Sequence, residues 1–475
     1  MPKVIPFETA YSKKVKQLDD FFRVSENFDV VAREIKIASR SAKLYFIDGF
    51  AKDDVLEKVL EFILKLKDSD VDAVGGTREF ADKFLPYIEV DVHSDIAPFS
   101  TYVYSGAIGM IVEGFDGGML VDARTYPTRG IEEPDNDKVL RGSHEGFVET
   151  MIFNTSLIRR RIRDRELTME IHQVGERSHT DVVLCYMKDK ADKKLLAVLR
   201  EKLGNIDVKA LAMGQESLAE CLIRKQWFNP FPKVRYTERP DTAAACVYEG
   251  DIIILTDNSP SAMIIPTGIM AFLQDTNDFY FAPVVGTFLR FVRAVIFALA
   301  MFLTPVWYLF ESNPQFAPEW FSIFSVKEPS EIPLLFQLLI IELVIDALKL
   351  ASLNTPNSLS NSLSIIGALV LSELAVSAGL FSAETVLFMA FVAIANFAQP
   401  SLELGYAFKL SRVFILIMTG LFDLWGFILG VAVVILMIAM TNTTMGKSYL
   451  YPVRPFNGKS LSGLLIRKPI SRHNT

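Results

Sequence analysis

"LLFQLLIIELVIDALKLASLNTP", residues 334–356, is apolar enough to sit in hydrocarbon, yet it carries Glu342, Asp346 and Lys349. The three fall at i, i+4 and i+7, so a helix places them on one face. The rest of that helix is a surface for lipid or apolar neighbours, while the charged face needs a polar partner. An isolated charge at mid-bilayer costs at least ~2.5–3.5 kcal/mol on insertion scales, so each such group calls for a counter-ion, water or a proton. The segment reads as a membrane helix.

Its neighbours agree. Upstream, "VVGTFLRFVRAVIFALAMFLTPVWYLF" (284–310) holds 17 uncharged residues after Arg293, close to the lower limit of ~17 residues for a span. Arg290 and Arg293 stand at its start, where cations mark the cytoplasmic side. The following loop, 311–333, has four Glu and one Lys and reads as outward-facing. Downstream, "LSIIGALVLSELAVSAGLF" (363–381) reads as a further span with a seam of small residues, Ser364, Ala368, Ser372, Ala375 and Gly379. Such seams let helix backbones approach closely. "ETVLFMAFVAIANFAQP" (384–400) is shorter and ends at a proline, and 412–440 is long enough for one tilted helix. On that last helix Gly420, Asp423, Gly426 and Gly430 form a second small face that includes a carboxylate.

Four to five hydrophobic helices are therefore expected. Five spans that begin inside leave the tail outside, whereas residues 446–475 hold six Lys/Arg and no acid, a cytoplasmic signature. The sequence leaves the two in conflict. The costly acids of this half are Glu342, Asp346, Glu373 and Asp423. Lys349 alone cannot neutralise them, although an i,i+3 pair with Asp346 would serve packing. The expectation is a ring of copies with acidic faces toward water, which favours cations.

The first 260 residues have the charge density of an ordinary soluble sequence and contain a repeat. "LYFIDGFAKDDVLEKVLEFILKL" (44–66) and "VLCYMKDKADKKLLAVLREKLG" (183–204) both read as strand, turn and amphipathic helix, with Phe46 matching Tyr186 and Ala51 matching Ala191. "GAIGMIVEGFDGGMLVDART" (106–125) reads as two strands about a Gly-rich turn, and "AAACVYEGDIIILTDNSP" (243–260) is aligned to it through Glu113-Gly114 and Glu249-Gly250. The fold expected is multidomain: tandem cytoplasmic α/β modules, then an all-α polytopic membrane domain. Its parts are an N-terminal extension (1–40), module 1 (41–131), a connecting basic helix (132–179), module 2 (180–268), the transmembrane helical domain (284–441) and a basic tail (442–475).

In the connecting segment, Ser143 or Thr150 is placed to start a helix whose buried stripe is Phe147, Met151, Ile158 and Ile162. Arg159, Arg160, Arg161, Arg163 and Arg165 crowd its C-terminal end, which the helix dipole favours. That end is either a solvated terminus or a basic collar for anionic lipid heads or a neighbour's acids. No dinucleotide fingerprint, phosphate loop or nucleophile elbow occurs, and the five histidines lack metal-ligand spacing. No enzyme activity, cofactor or metal is expected. No basic run is interleaved with aromatics, which argues against nucleic acid. Cys185, Cys221 and Cys246 are scattered, as suits thiols in a reducing compartment. The opening "MPKVIPFETAYSKKVKQLDD" has no apolar core region, so the N-terminal half is expected in the cytoplasm.

Four stretches, "GSHEGFVETMIFNTSLIRRRI" (142–162), "VGERSHTDVVLCY" (174–186), "NPFPKVRYTERPD" (229–241) and "SLSIIGALVLSELAVSAGLFS" (362–382), resemble the A subunits of GerA-type spore germination receptors. "KLASLNTPNSLSNSLS" (349–364), "ANFAQPSLELGYAFK" (395–409) and "TNTTMGKSYLYPVRPFN" (441–457) are similar to the stage V sporulation protein AF branch of that family. The resemblance implies a multi-pass protein of the spore inner membrane with two cytoplasmic α/β subdomains. It further implies a homo-oligomer that contacts membrane lipids, acts with a B-type membrane subunit and other germination proteins, and passes monovalent cations during germination. By position the 362–381 segment matches the family's pore segment, making Ser364, Ile365, Ala368, Leu369 and Ser372 lining candidates. The alternative is a non-conducting membrane scaffold that recruits germination proteins through its cytoplasmic modules.

Overall fold

The computed structural model describes residues 5–27, 29–48, 50–85, 87, 89–125, 129–134, 137–223, 227–328, 330–354, 374–441, 443 and 448–467. The chain forms two compact units, Met1–Gly130 and Ile131–Thr475. In the first, α1 (Tyr11–Phe22) precedes the hairpin β1 (Val30–Ile37) and β2 (Arg40–Ile47). Then come α2 (Asp53–Ile63), α3 (Asp68–Val71), α4 (Thr77–Phe84), β3 (Val90–His93), α5 (Ile96–Tyr104), β4 (Ile108–Val112) and β5 (Gly118–Val121). The sheet order is β1-β2-β4-β5-β3, with every pair antiparallel. Strand side chains alternate between faces. Leu44, Met110, Val112, Met119 and Val121 accordingly join one core with Val59, Ile63 and Phe80. Tyr45, Ile111 and Leu120 join the other with Leu18, Phe22 and Phe99.

The second unit opens with the same plan: α6 (Met151–Arg161), β6 (Leu167–Val174), β7 (Thr180–Met187), α7 (Lys193–Gly204), α8 (Gln215–Leu222), β8 (Arg235–Thr237), α9 (Pro240–Glu249), β9 (Ile252–Thr256) and β10 (Ala262–Ile265). Its order, β6-β7-β9-β10-β8, repeats the first sheet strand for strand. Phe46 and Tyr186 are each the penultimate residue of the second hairpin strand. The other alignment slips. Glu113-Gly114 follows β4, whereas Glu249-Gly250 precedes β9; Ala42 pairs with Val112 as Val182 pairs with Thr256. The true counterpart of Gly250 (φ 100°) is Gly106 (φ 99°), each taking the left-handed turn from a helix into a strand. Gly114 also has positive φ (87°), so turn chemistry of one kind at two places misdirected the match. Each sheet also begins earlier than the sequence suggested, at Val30 and at Leu167.

Beyond a 3₁₀ turn (Ile269–Leu273), α10 (Asn277–Tyr280) leads into α11 (Pro283–Ser312), α12 (Leu334–Asn354), α13 (Ala375–Ser377), α14 (Ala383–Phe397), α15 (Leu402–Met440) and α16 (Gly458–Leu465). By length and composition, α11 and α15 are each long and apolar enough to cross a membrane, and α14 is shorter. Both α11 and α15 expose large apolar side chains, among them Phe288, Phe291, Leu421, Trp425 and Leu436.

The 412–440 stretch is not one tilted helix. It belongs to α15, which starts at Leu402 and breaks at Phe422 (φ −133°, ψ 15°) and Asp423 (φ 50°, ψ −131°). A Cβ added at Gly426 would fall 1.9 Å from the Met418 carbonyl oxygen, and one at Gly430 would fall 3.2 Å from Ile415 Cα. Eight residues of straight helix span ~12 Å, so the arms 402–421 and 424–440 fold back on each other. Ile415 and Val434 share one core as a result. The small face at Gly426 and Gly430 therefore packs inside the chain, and Gly420 packs against Leu335. Ala375 lies in the short α13, and Gly379 sits beyond it at φ 72°, off any helical face. Ser364, Ile365, Ala368, Leu369, Ser372 and Glu373 lie outside the described residues.

Candidate functional site

The acidic face of α12 meets cations supplied by α15. Glu342 is 5% exposed and Arg412 is fully buried. Arg412 Nη2 stands 2.5 Å from Glu342 Oε1, and its Nε donates to the same oxygen at 2.8 Å. Arg412 Nη1 donates to the Ala300 carbonyl of α11. Lys409 Nζ bridges Glu342 Oε2 at 3.2 Å and Asp346 Oδ1 at 2.5 Å. Two acids and two bases thus balance within one chain, held by three helices. Glu342 and Asp346 find counter-ions inside one chain, where the sequence left internal pairing, a polar cavity, protonation or an oligomer interface open. Lys349 Nζ lies 4.3 Å from the centre of the Tyr406 ring, within cation–π range. Asp346 is partly open, on a small cleft shared with Asn396, Tyr406 and Lys409.

Sequence reading missed Lys409 and Arg412 because they precede the apolar run and look like a flank. Their i,i+3 spacing, set against Glu342 and Asp346 at i,i+4, is the signal that was available. Asp423 is exposed at the hairpin tip and accepts from Asn313 Nδ2 at 3.2 Å. Asn313 caps the C-terminal end of α11, so the tip lies at that end.

The opposite end is tied to the second α/β module. Asp278 of α10 is fully buried between Arg293 (Nη1–Oδ2 2.9 Å) and Arg290 (Nε–Oδ2 3.2 Å). Arg290 Nη1 also donates to the carbonyls of Gly463 and Leu464, 2.9 Å each. Asn229 donates to Thr441 Oγ1 at 2.7 Å, and Tyr449 OH donates to the Pro232 carbonyl at 2.8 Å. The described tail, 448–467, therefore lies at the module end of the helices. The hairpin in α15 accounts for this, because it adds a return pass that the sequence reading counted as none.

The collar arginines are engaged locally. Arg160 pairs with Glu145, and Arg161 reaches Glu145 Oε2 at 2.6 Å and Ser143 Oγ at 2.9 Å. These guanidinium groups hold the Glu145 carboxyl below its usual range. Arg159 Nη2 donates to the Leu167 carbonyl at 3.1 Å, and Arg163 Nε to the Arg160 carbonyl at 3.4 Å. They close the C-terminal end of α6 and its turn into β6.

Residues 16–475 match the family model described as Bacillus/Clostridium GerA spore germination protein. The chain belongs to the GerA spore germination family. It is 36% identical to Stage V sporulation protein AF of Bacillus subtilis (strain 168), over 93% of this chain and 89% of that protein. It is 26% identical to Spore germination protein A1 of the same organism, over 94% of this chain and 92% of that protein. Among solved structures, it is similar to the crystal structure of the N-terminal domain of the A subunit of the Bacillus megaterium spore germinant receptor GerK3. That similarity is 24% identity over 56% of this chain and 97% of the other, with a TM-score of 0.22. As a GerA-family protein, this chain takes part in spore germination.

Proposed function

We propose that this protein is a multi-pass component of the spore inner membrane whose copies together conduct monovalent cations during germination, without catalysis and alongside a B-type membrane subunit. The observation that carries the reading is the balanced Glu342–Asp346–Lys409–Arg412 cluster within apolar helices. Ionisable groups at such depth are costly and mark ion pathways or switches far more often than they add stability. Because the acids are already paired, the cluster acts here as a charge lock between α12 and α15 rather than as an open lining. The lining falls to surfaces shared between copies. The module and the tail share one end of the helices, and the cations of that tail support a reading with both in the cytoplasm.

Internal pairing of Glu342 and Asp346 is also the observation that favours a scaffold, since paired acids require no conduction. Flux separates the two. Purified protein in liposomes, with its partner subunit, is expected to pass K⁺ or Na⁺. Background flux from an intact oligomer of stated mass would leave the scaffold reading in its place.

A further inference from the structure

The second α/β module carries two exposed aromatic side chains that its own fold does not use. Trp227 is fully exposed (101%) and Phe228 is 69% exposed. Both stand beside a loop that is pinned to the base of the helices. Asn229 donates to Thr441 Oγ1 at 2.7 Å, at the last turn of α15. Phe231 is buried there, its ring 6.3 Å from that of Phe408. Two residues of chain reach at most ~7 Å, so the Trp227 backbone lies within that distance of Asn229. Met440, adjacent to Thr441, is itself 67% exposed, which sets the edge of the apolar belt at this level.

An indole beside the end of an apolar, outward-facing helix has its most favourable surroundings at a bilayer's interfacial layer. The ring is apolar, and its N–H finds a partner among headgroups. That layer is roughly 5–7 Å deep on each side, half the difference between a bilayer of about 40–45 Å and its hydrocarbon core of about 30 Å. With α15 ending at the hydrocarbon edge, that depth matches the reach of Trp227 from Asn229. Resting on the membrane reading above, we propose that Trp227 and Phe228 form an interfacial anchor. They insert among phospholipid headgroups and hold the second α/β module against the membrane surface. The occupant is lipid because the level is fixed by a helix that itself presents apolar side chains outward.

The test reconstitutes the full chain in phosphatidylcholine vesicles carrying a quencher either at the headgroup level or deep in the acyl chains. Trp227→Phe and Trp425→Phe are compared with the unchanged chain; both tryptophans are exposed, so neither change disturbs a core. The emission removed by Trp227→Phe is expected to be the part quenched by the shallow probe and spared by the deep one. If that emission is untouched by both lipid probes while the emission removed by Trp425→Phe is quenched, the anchor is overturned and membrane insertion stands. If neither is quenched, insertion itself fails and the anchor fails with it.

Discussion

Replacing Arg412 by leucine tests the charge cluster most directly. The side chain is fully buried, 2.5 Å from Glu342 Oε1, and reaches the Ala300 carbonyl as well. In the unchanged chain the cluster sums to zero: two carboxylates against Lys409 and Arg412. In Arg412→Leu it sums to −1, with Lys409 left to serve Glu342 at 3.2 Å and Asp346 at 2.5 Å. Removing one partner of a buried pair costs ~3–5 kcal/mol, because the remaining charge is stranded. At 1.4 kcal/mol per tenfold, this lowers the folded-to-unfolded ratio by roughly two to nearly four powers of ten.

The double change Glu342→Leu with Arg412→Leu restores neutrality and leaves Lys409 with Asp346 alone. Apolar replacement of a whole buried pair is neutral or stabilising by ~1–4 kcal/mol, so the double variant is expected to recover most of the loss. Thermal unfolding in a single detergent, followed by loss of the monodisperse elution peak, ranks the three proteins. A single variant as stable as the unchanged chain, or a double variant no better than the single, would refute the cluster as a closed, mutually dependent unit. Flux through the double variant then reports on gating apart from folding. If the cluster is a lock, its removal raises leak in resting vesicles.

Two further outcomes follow from the geometry. Gly426→Ala places a methyl 1.9 Å from a backbone carbonyl, whereas Gly430→Ala meets Ile415 Cα at 3.2 Å; the first is expected to lower the melting temperature far more than the second. In the second module, Arg200 donates to Glu170 and holds its carboxyl below the usual 4.5. A depressed folded pKa contributes stability above the unfolded value and loses it as pH falls through the folded value. The melting gap between the unchanged chain and Glu170→Gln, open near neutral pH, is therefore expected to close in acid, and a gap that persists there would contradict the pairing.

Much of the soluble half was legible because period-two and period-3.6 patterns report local geometry directly. Phe46 and Tyr186 found their common place in the sheet, since each sits in an apolar strand ahead of an amphipathic helix. The Gly250 alignment failed because a glycine turn has the same composition on either side of a strand. β1 and β6 escaped notice for another reason. They are outer strands of their sheets, half exposed, with polar residues at Arg33, Glu34, Glu170 and His172 diluting the apolar signal. In the helical half, Glu342 and Asp346 announced themselves by cost. Their partners did not, because Lys409 and Arg412 lie 67 and 70 residues away from Glu342, and pairing at that separation is set by packing. The hairpin was hidden for a related reason: 424–440 continues the hydrophobicity of 402–421, and only backbone dihedrals at Phe422 and Asp423 divide them.

The three helices that hold the cluster are not equally free. α10, tied to the module by Tyr280 on Asp241, grips α11 through Asp278 on Arg290 and Arg293, and the module grips α15 through Asn229 on Thr441 and through Phe231 beside Phe408. Along α11, Arg293 and Ala300 are seven residues apart, or ~10 Å of helix. Along α15, Phe408 adjoins Lys409 directly. A shift of the module therefore loads the two helices that supply Arg412 and its carbonyl anchor, while α12 contributes both acids of the cluster. Breaking the Asp278 clasp by Asp278→Asn weakens that load path without touching Glu342, Asp346, Lys409 or Arg412. If the module acts on the helices through the clasp, that variant changes flux in vesicles while the cluster stays paired.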